Sequence, residues 1–199
     1  MLMPSKAGEL VSKGGIIAFR TDTFYGLGVD PLKQAAVEAL IKLKGREEGK
    51  PILVIVSDPE YVDHFIAKRS HAFNQLVSKF WPGPLTLVGQ AHAHLSRELT
   101  AGTGTVGVRL PNDDRVRELV RVCGGALTGT SANVSGAAPS RNAVEVRNQF
   151  PAGIDLIIDD GEVEVTEPST VIDVTTDEPR LIREGAIPWE ILQASQNEK

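Results

Sequence analysis

Two short stretches concentrate side chains suited to anions. In KLKGREEGK, residues 42–50, Lys44, Arg46 and Lys50 fall within seven positions, with Gly45 and Gly49 between them. Arg presents a planar fork of donors and Lys a point charge, and both suit phosphate oxygens. One reading is convergence on a polyanion such as a triphosphate. The other is capping of a preceding helix by solvated cations, which the negative end of the helix dipole favours. In ALTGTSANVSG, residues 126–136, Thr128, Thr130, Ser131, Asn133 and Ser135 crowd beside Gly129 and Gly136. A turn would spend these groups on its own backbone, whereas a cradle would spend them on a polar ligand.

Further candidates lie at the ends of apolar runs. TDTFYGLGVDP, residues 21–31, follows the apolar GGIIAF with Thr21, Asp22, Thr23 and Tyr25 ahead of a glycine turn. Ligands of α/β proteins bind at the carboxyl ends of strands, so this polar loop is either well placed for one or simply ends the strand. Arg109 leaves TVGVRLP on the face opposite Val106 and Val108. It fits either a structural ion pair or a bidentate grip on a substrate carboxylate. Ser169 in PSTVIDV and Arg183 in LIREG occupy similar positions.

Several familiar patterns fail on context. GTGTVG, residues 102–107, satisfies G-x-G-x-x-G but leads into a strand with a proline stop, where a dinucleotide fingerprint opens a helix. GREEGKP is one residue short of a phosphate loop and carries Pro51 in place of a magnesium-binding hydroxyl. His92 and His94 lack a carboxylate or Cys at ligand spacing. Asp159, Asp160 and Glu162 read as a solvated turn around Gly161, and Trp81-Pro82-Gly83-Pro84 as a rigid corner. Cys123, the single cysteine, sits among apolar residues without a His or cationic motif beside it.

The elements that must carry these groups alternate in period. Strand-length runs occur at GGIIAF, PILVIV, LTLVGQ, TVGVRL, GALTGT, IDLIID, STVIDV and PRLIRE. Helical spacing is found near residues 5–13, 33–44, 70–81, 113–122, 142–149 and 188–194. Strands and helices interleave early and the last third is richer in strands. That order predicts an α/β fold, with a twisted mixed β-sheet flanked by helices. With 199 residues, 41% hydrophobic and 24% charged, a single domain over 1–199 is expected. A net charge of -5 excludes a global basic field for indiscriminate nucleic-acid binding. No apolar run reaches the about eighteen residues of a membrane span, and the N-terminus lacks the apolar core of a signal peptide. A soluble, cytoplasmic protein is expected, and a lone cysteine suits a reducing compartment.

In order along the chain, TDTFYGLGVD, KLKGREEGKPI, WPGPLTLV, TVGVRLP, TSANVSG, PSTVIDV and IREG resemble the YrdC-like family of threonylcarbamoyl-AMP synthases, from about residue 8 to residue 192. The resemblance implies a YrdC/RibB-like fold. It maps the family's Lys, Arg, Ser and Asn tetrad onto Lys44, Arg46, Ser131 and Asn133. A paralogous group with the same fold lacks the Ser-x-Asn half. The implied reaction joins L-threonine, bicarbonate or CO2, and ATP with Mg2+ into L-threonylcarbamoyl-AMP and pyrophosphate. The product then serves a separate transferase complex that modifies adenosine beside the tRNA anticodon. By the same resemblance Arg46, Lys50, Thr105, Ser131, Asn133 and Arg183 would meet ATP, with the cations forming a wall opposite TSANVSG. Thr23, Arg109 and Ser169 would meet threonine, Arg109 at its carboxylate. Two positions depart from the pattern: Arg20 stands where many relatives have proline, and Ile55 where some longer relatives have a histidine close to threonine. A competing reading is a double-stranded RNA-binding or ribosome-assembly module with a concave cationic surface. The acidic balance and the 5% aromatic content oppose it.

Overall fold

The segment TDTF closes on itself through one hydroxyl. Strands β1 (Ile17–Arg20) and β2 (Tyr25–Gly28) pair antiparallel with Arg20 opposite Tyr25, leaving Thr21–Phe24 as the turn. The Thr21 hydroxyl donates to the Phe24 carbonyl at 2.7 Å and accepts the N–H groups of Thr23 and Phe24 at 3.1 and 3.2 Å. Asp22 and Thr23 are thereby fixed at the tip. The polar loop read from the sequence ends sooner than expected, because YGLG is itself a buried strand. Its glycines explain why: a Cβ on Gly28 would lie 2.8 Å from Phe19 Cε1, so the bare backbone lets Phe19 pack flat across the hairpin.

The computed structural model describes residues 2–45, 51–164 and 167–197. Helix α1 (Leu2–Ser12) precedes the hairpin. After it come α2 (Gln34–Lys44), β3 (Leu53–Val56), a 3-10 turn (Pro59–His64), β4 (Ile66–Lys68), α3 (His71–Phe80) and β5 (Leu85–Ala91). Then follow α4 (Arg97–Thr100), β6 (Thr105–Arg109), α5 (Asp114–Val122), β7 (Ala126–Thr128), β8 (Thr130–Ser131) and α6 (Ala143–Gln149). The chain continues through β9 (Leu156–Ile157), β10 (Thr170–Asp173), β11 (Arg180–Arg183) and α7 (Trp189–Asn197). The short pieces β4, α4 and the 3-10 turn had no periodic signature of their own.

The α/β mixed architecture holds, and its strands divide between two sheets. One has the order β8-β2-β1-β9; the other runs β11-β10-β5-β6-β3-β7, with β4 on the side of β5. Both mix orientations: β1 is antiparallel to β2 and parallel to β9, and β3 is parallel to β6 and antiparallel to β7. The chain crosses from one sheet to the other between β7 and β8, at Gly129. A Cβ there would lie 2.6 Å from Ile55 Cδ1, so only glycine lets the backbone pass over β3 so closely.

Two apolar clusters hold the layers. Val54 and Val56 of β3 join Leu40, Leu85, Leu87 and Val108 in the larger one, while Ile55 turns to the other, with Phe19, Val116, Val120 and Leu127. Both faces of β3 are covered, which is why its sequence is continuously apolar. Helix α5 is anchored by Asp113, whose carboxylate accepts the Arg115 and Val116 N–H groups at 2.9 and 3.2 Å. Arg20 leans towards the same carboxylate, 3.6 Å away. Asp113→Ala is expected to cost about 1 kcal/mol, the worth of an N-cap, read as a fall in Tm of about 2–4 °C for a chain of this size. An unchanged melting curve would show that the cap contributes nothing.

Cys123 is free and nearly buried, and burial pushes its thiol up to about 12. Against an ordinary thiol near 8.5, the thiolate fraction at pH 8 falls by about three orders of magnitude. Iodoacetamide at that pH is therefore expected to leave the native protein unlabelled until denaturant is added; rapid native labelling would contradict the buried placement.

Candidate active site

Arg109 ends β6 almost wholly buried, at 2% exposure. Its Nη2 donates to Asp22 Oδ1 at 2.7 Å and its Nη1 to Thr23 Oγ1 at 3.2 Å, both at the tip of the TDTF turn. Asp22 also accepts the Asn112 N–H at 3.2 Å, tying the turn to the chain that leaves β6. Burial lowers the Arg109 pKa and Asp22 counters it, so the pair satisfies the strand position while part of the guanidinium stays uncommitted. Its buried Nε finds no acceptor among the described residues. A buried donor left unpaired is costly, and a ligand oxygen would relieve it.

Ser169 and Arg183 gather on the neighbouring strands. Ser169, buried just before β10, shares a 2.9 Å hydrogen bond with Thr86 of β5. From the exposed strand β11, Arg183 turns its guanidinium inward and donates to the Ser169 carbonyl at 2.8 Å and hydroxyl at 3.4 Å. Burial and the adjacent charge of Arg109 both hold Arg183 below its usual pKa. Two guanidinium groups that repel each other make a favourable place for an anion. Thr86 had no assigned role in the sequence; its signal was a lone hydroxyl in the apolar run LTLV. Arg183, expected on the nucleotide, thus stands beside Ser169, which was expected on threonine.

Gly185 makes that gathering possible. A Cβ on it would lie 2.2 Å from the Pro168 carbonyl oxygen and 2.8 Å from the Ser169 carbonyl carbon. Gly185→Ala must push β11 and Arg183 away from Ser169. It is expected to lower Tm and to weaken binding of a carboxylate substrate together; a loss of stability with binding intact would detach Gly185 from the site.

The second group is the TSAN loop. Ser131 Oγ donates to Asn133 Oδ1, and Asn133 Nδ2 donates to the carbonyls of Val134 and Ala137, each at 2.9 Å. Thr128 is structural, joining Val29 N–H at 3.0 Å and the Leu27 carbonyl at 3.2 Å. Lys44, the last residue of α2, is buried and donates from Nζ to the Ser131 and Asn133 carbonyl oxygens, the latter at 2.9 Å. It was expected on a wall opposite TSANVSG; the ammonium instead sits against that loop, because Gly45 stops the helix in the left-handed region with φ 58° beside it. Arg46 and Lys50 lie outside the described residues.

The two groups converge. Arg109 pairs with Ile55 in register, so both point to one face, and Gly129 passes over Ile55 two residues before Ser131. On the other side Thr23 leads into β2, whose Gly26 pairs with Ser131. Ile55 itself is fully buried beneath Gly129, in the cluster with Phe19 and Leu127. Thr105 is not drawn in by any described contact: it bonds Thr103 at the far end of β6, about 13 Å along the strand from Arg109. Arg20 faces elsewhere, into a groove of about 760 Å³ lined by Phe19, Val116, Leu119 and Ile158. That groove shares no residue with either group. Its arginines are matched by Asp113, Asp160, Asp114 and Asp58, which leaves no net field for a polyanion.

The sequence profile of the Sua5, YciO and YrdC proteins, described as telomere recombination, matches residues 9–185. The chain belongs to this family. The threonylcarbamoyl-AMP synthase of Pyrococcus abyssi is 34% identical over 187 residues, covering 94% of this chain and 55% of that protein. The chain therefore spans about half the length of that family member. The synthase of Thiobacillus denitrificans is 39% identical over 165 residues, covering 82% of this chain and 87% of its own. The crystal structure of P. abyssi Sua5 complexed with L-threonine superposes with a TM-score of 0.93 at 33% identity, covering 98% of this chain and 57% of that one. The family fold is thus shared over nearly the whole chain.

Proposed function

We propose that the chain is a threonylcarbamoyl-AMP synthase, joining L-threonine, bicarbonate or CO2, and ATP into L-threonylcarbamoyl-AMP and pyrophosphate. The observation that carries this reading is the buried Arg109, held by Asp22 and Thr23 with its Nε unspent and Arg183 beside it, next to the TSAN loop. The names of the similar synthases and the threonine complex of P. abyssi Sua5 support it.

In this reading the threonine carboxylate takes the free side of Arg109 and the face of Arg183. The hydroxyls of Ser169, Thr86 and Thr23 surround the rest of the amino acid. The unprotonated amine captures CO2, forming a C–N bond and releasing a proton, to give a carbamate. A carbamate oxygen then attacks the α-phosphate in line and pyrophosphate leaves. The nucleotide lies along the TSAN loop, with Ser131 and Asn133 near its phosphates, Arg46 and Lys50 supplying positive charge, and Lys44 bonded to the loop itself. Magnesium arrives with ATP as part of the substrate, since hard cations favour phosphate and water oxygens. Little covalent chemistry is asked of the protein; positioning and charge neutralisation carry the rate.

The product is a mixed anhydride, and in this reading its consumer is a tRNA transferase complex and the enzyme works beside it in the cytoplasm. No helix among the described residues is long and apolar enough to cross a membrane. The test is mass spectrometry of the nucleotide product from ATP, L-threonine and 13C-bicarbonate. An adenylate carrying both threonine and the label is expected; AMP or unlabelled adenylate alone would overturn the reading.

A further inference from the structure

Lys44 makes its described contacts with the protein itself. Its ammonium reaches the carbonyl oxygens of Ser131 and Asn133, 87 and 89 residues away in sequence. The opposite ends of the same two peptide planes are also fixed. Ala132 N–H donates to the Tyr25 carbonyl at 2.7 Å, and Val134 N–H to Gln149 Oε1 at 2.9 Å. Because a peptide unit is planar, a bond at each end fixes its orientation. The side chains of Ser131 and Asn133 spring from those planes. Ser135 N–H returns to the Lys44 carbonyl at 3.2 Å, so helix α2 and the loop are laced in both directions.

We propose that Lys44 is a positioning residue for the nucleotide half of the site. Its ammonium sets the shape of the TSAN loop before any substrate binds, and its contribution to ATP use passes through Ser131 and Asn133. This rests on the synthase reading, and it assigns Lys44 a duty different from direct neutralisation of phosphate. An ammonium has three donors, and among the described residues Lys44 spends its donors on the Ser131 and Asn133 carbonyls.

The experiment has two arms. Amide hydrogen exchange of residues 132–137 is measured on the free full-length chain and on Lys44→Met, which keeps the length and removes the charge. Loss of a charge-assisted bond at the loop predicts exchange about tenfold faster or more there, with Lys44→Arg intermediate. The second arm is a double-mutant cycle on kcat/KM for ATP with Lys44→Met and Ser131→Ala. Residues acting through one another are not additive, so the second change is expected to add less than about threefold to the loss from the first. The KM for threonine is expected to stay within about twofold, since the Arg109 group is untouched, whereas general loosening of the fold would raise both. Unchanged exchange, or losses that multiply independently, would overturn the proposal. Should Lys44→Met fail to fold, Lys44→Gln and Lys44→Arg carry the same cycle. The exchange arm needs no turnover, so loosened loop amides in a protein without synthase activity would leave this proposal standing and fell only the functional reading.

Discussion

Arg109→Ala will lower kcat/KM for threonine by about a hundredfold or more, the cost of removing one partner from a buried, hydrogen-bonded charge pair. Three effects act together. The substrate carboxylate loses its fork, Asp22 loses the guanidinium 2.7 Å away, and Thr23 loses a donor at 3.2 Å. ATP affinity, measured with a non-hydrolysable analogue, is expected to stay within about threefold because the TSAN loop takes its bonds from Lys44, Gln149 and β2. Arg109→Lys will recover little of the loss, since a point charge cannot meet Asp22 and a carboxylate with parallel bonds. A melting curve separates the stability cost of the stranded Asp22 from the loss of binding. If Arg109→Ala instead weakened ATP and spared threonine, the two halves of the site would have to be exchanged.

Asn133→Asp will impair ATP use more than Asn133→Ala. The native amide accepts from Ser131 and donates to the carbonyls of Val134 and Ala137. Alanine removes the bonds and leaves those carbonyls with room for water, at a cost of about 1–3 kcal/mol or ten- to a hundredfold. Aspartate keeps the shape but turns two donors into an acceptor that faces two carbonyl oxygens and adds a negative charge beside the phosphates. A loss in kcat/KM for ATP of about a hundredfold or more is expected. Equal activity of the Asp variant and the native chain would remove Asn133 from the nucleotide wall.

The parts legible in the sequence were those whose signal is local. The Ser131-x-Asn133 pair is bonded within the loop that contains it, so its density of polar groups was visible as a cradle or turn, and the bonds the structure shows are those of a loop that closes on itself. The apolar periods of α2, α3 and α5 announced their helices within a residue or two. What escaped were pairings set by topology. Asp22 and Arg109 lie 87 residues apart, and Thr86 and Ser169 lie 83 apart; only the sheet order brings them together. Lys44 offered two readings, a helix-end cation or a phosphate ligand, and the structure adds a third, in which a crossover places distant carbonyls against its ammonium. Strand β2 was hidden by Gly26 and Gly28, which weaken a strand in isolation, although Gly28 is needed for close packing on Phe19.

If the Arg109 group and the TSAN loop form one site, a threonine-derived carbamate meets ATP there. Pyrophosphate release from ATP and bicarbonate, followed with and without L-threonine, tests it most directly. Release that depends on threonine and falls with Arg109→Ala is the predicted result. Release that is indifferent to threonine, or none across a range of magnesium concentration and pH, would contradict it.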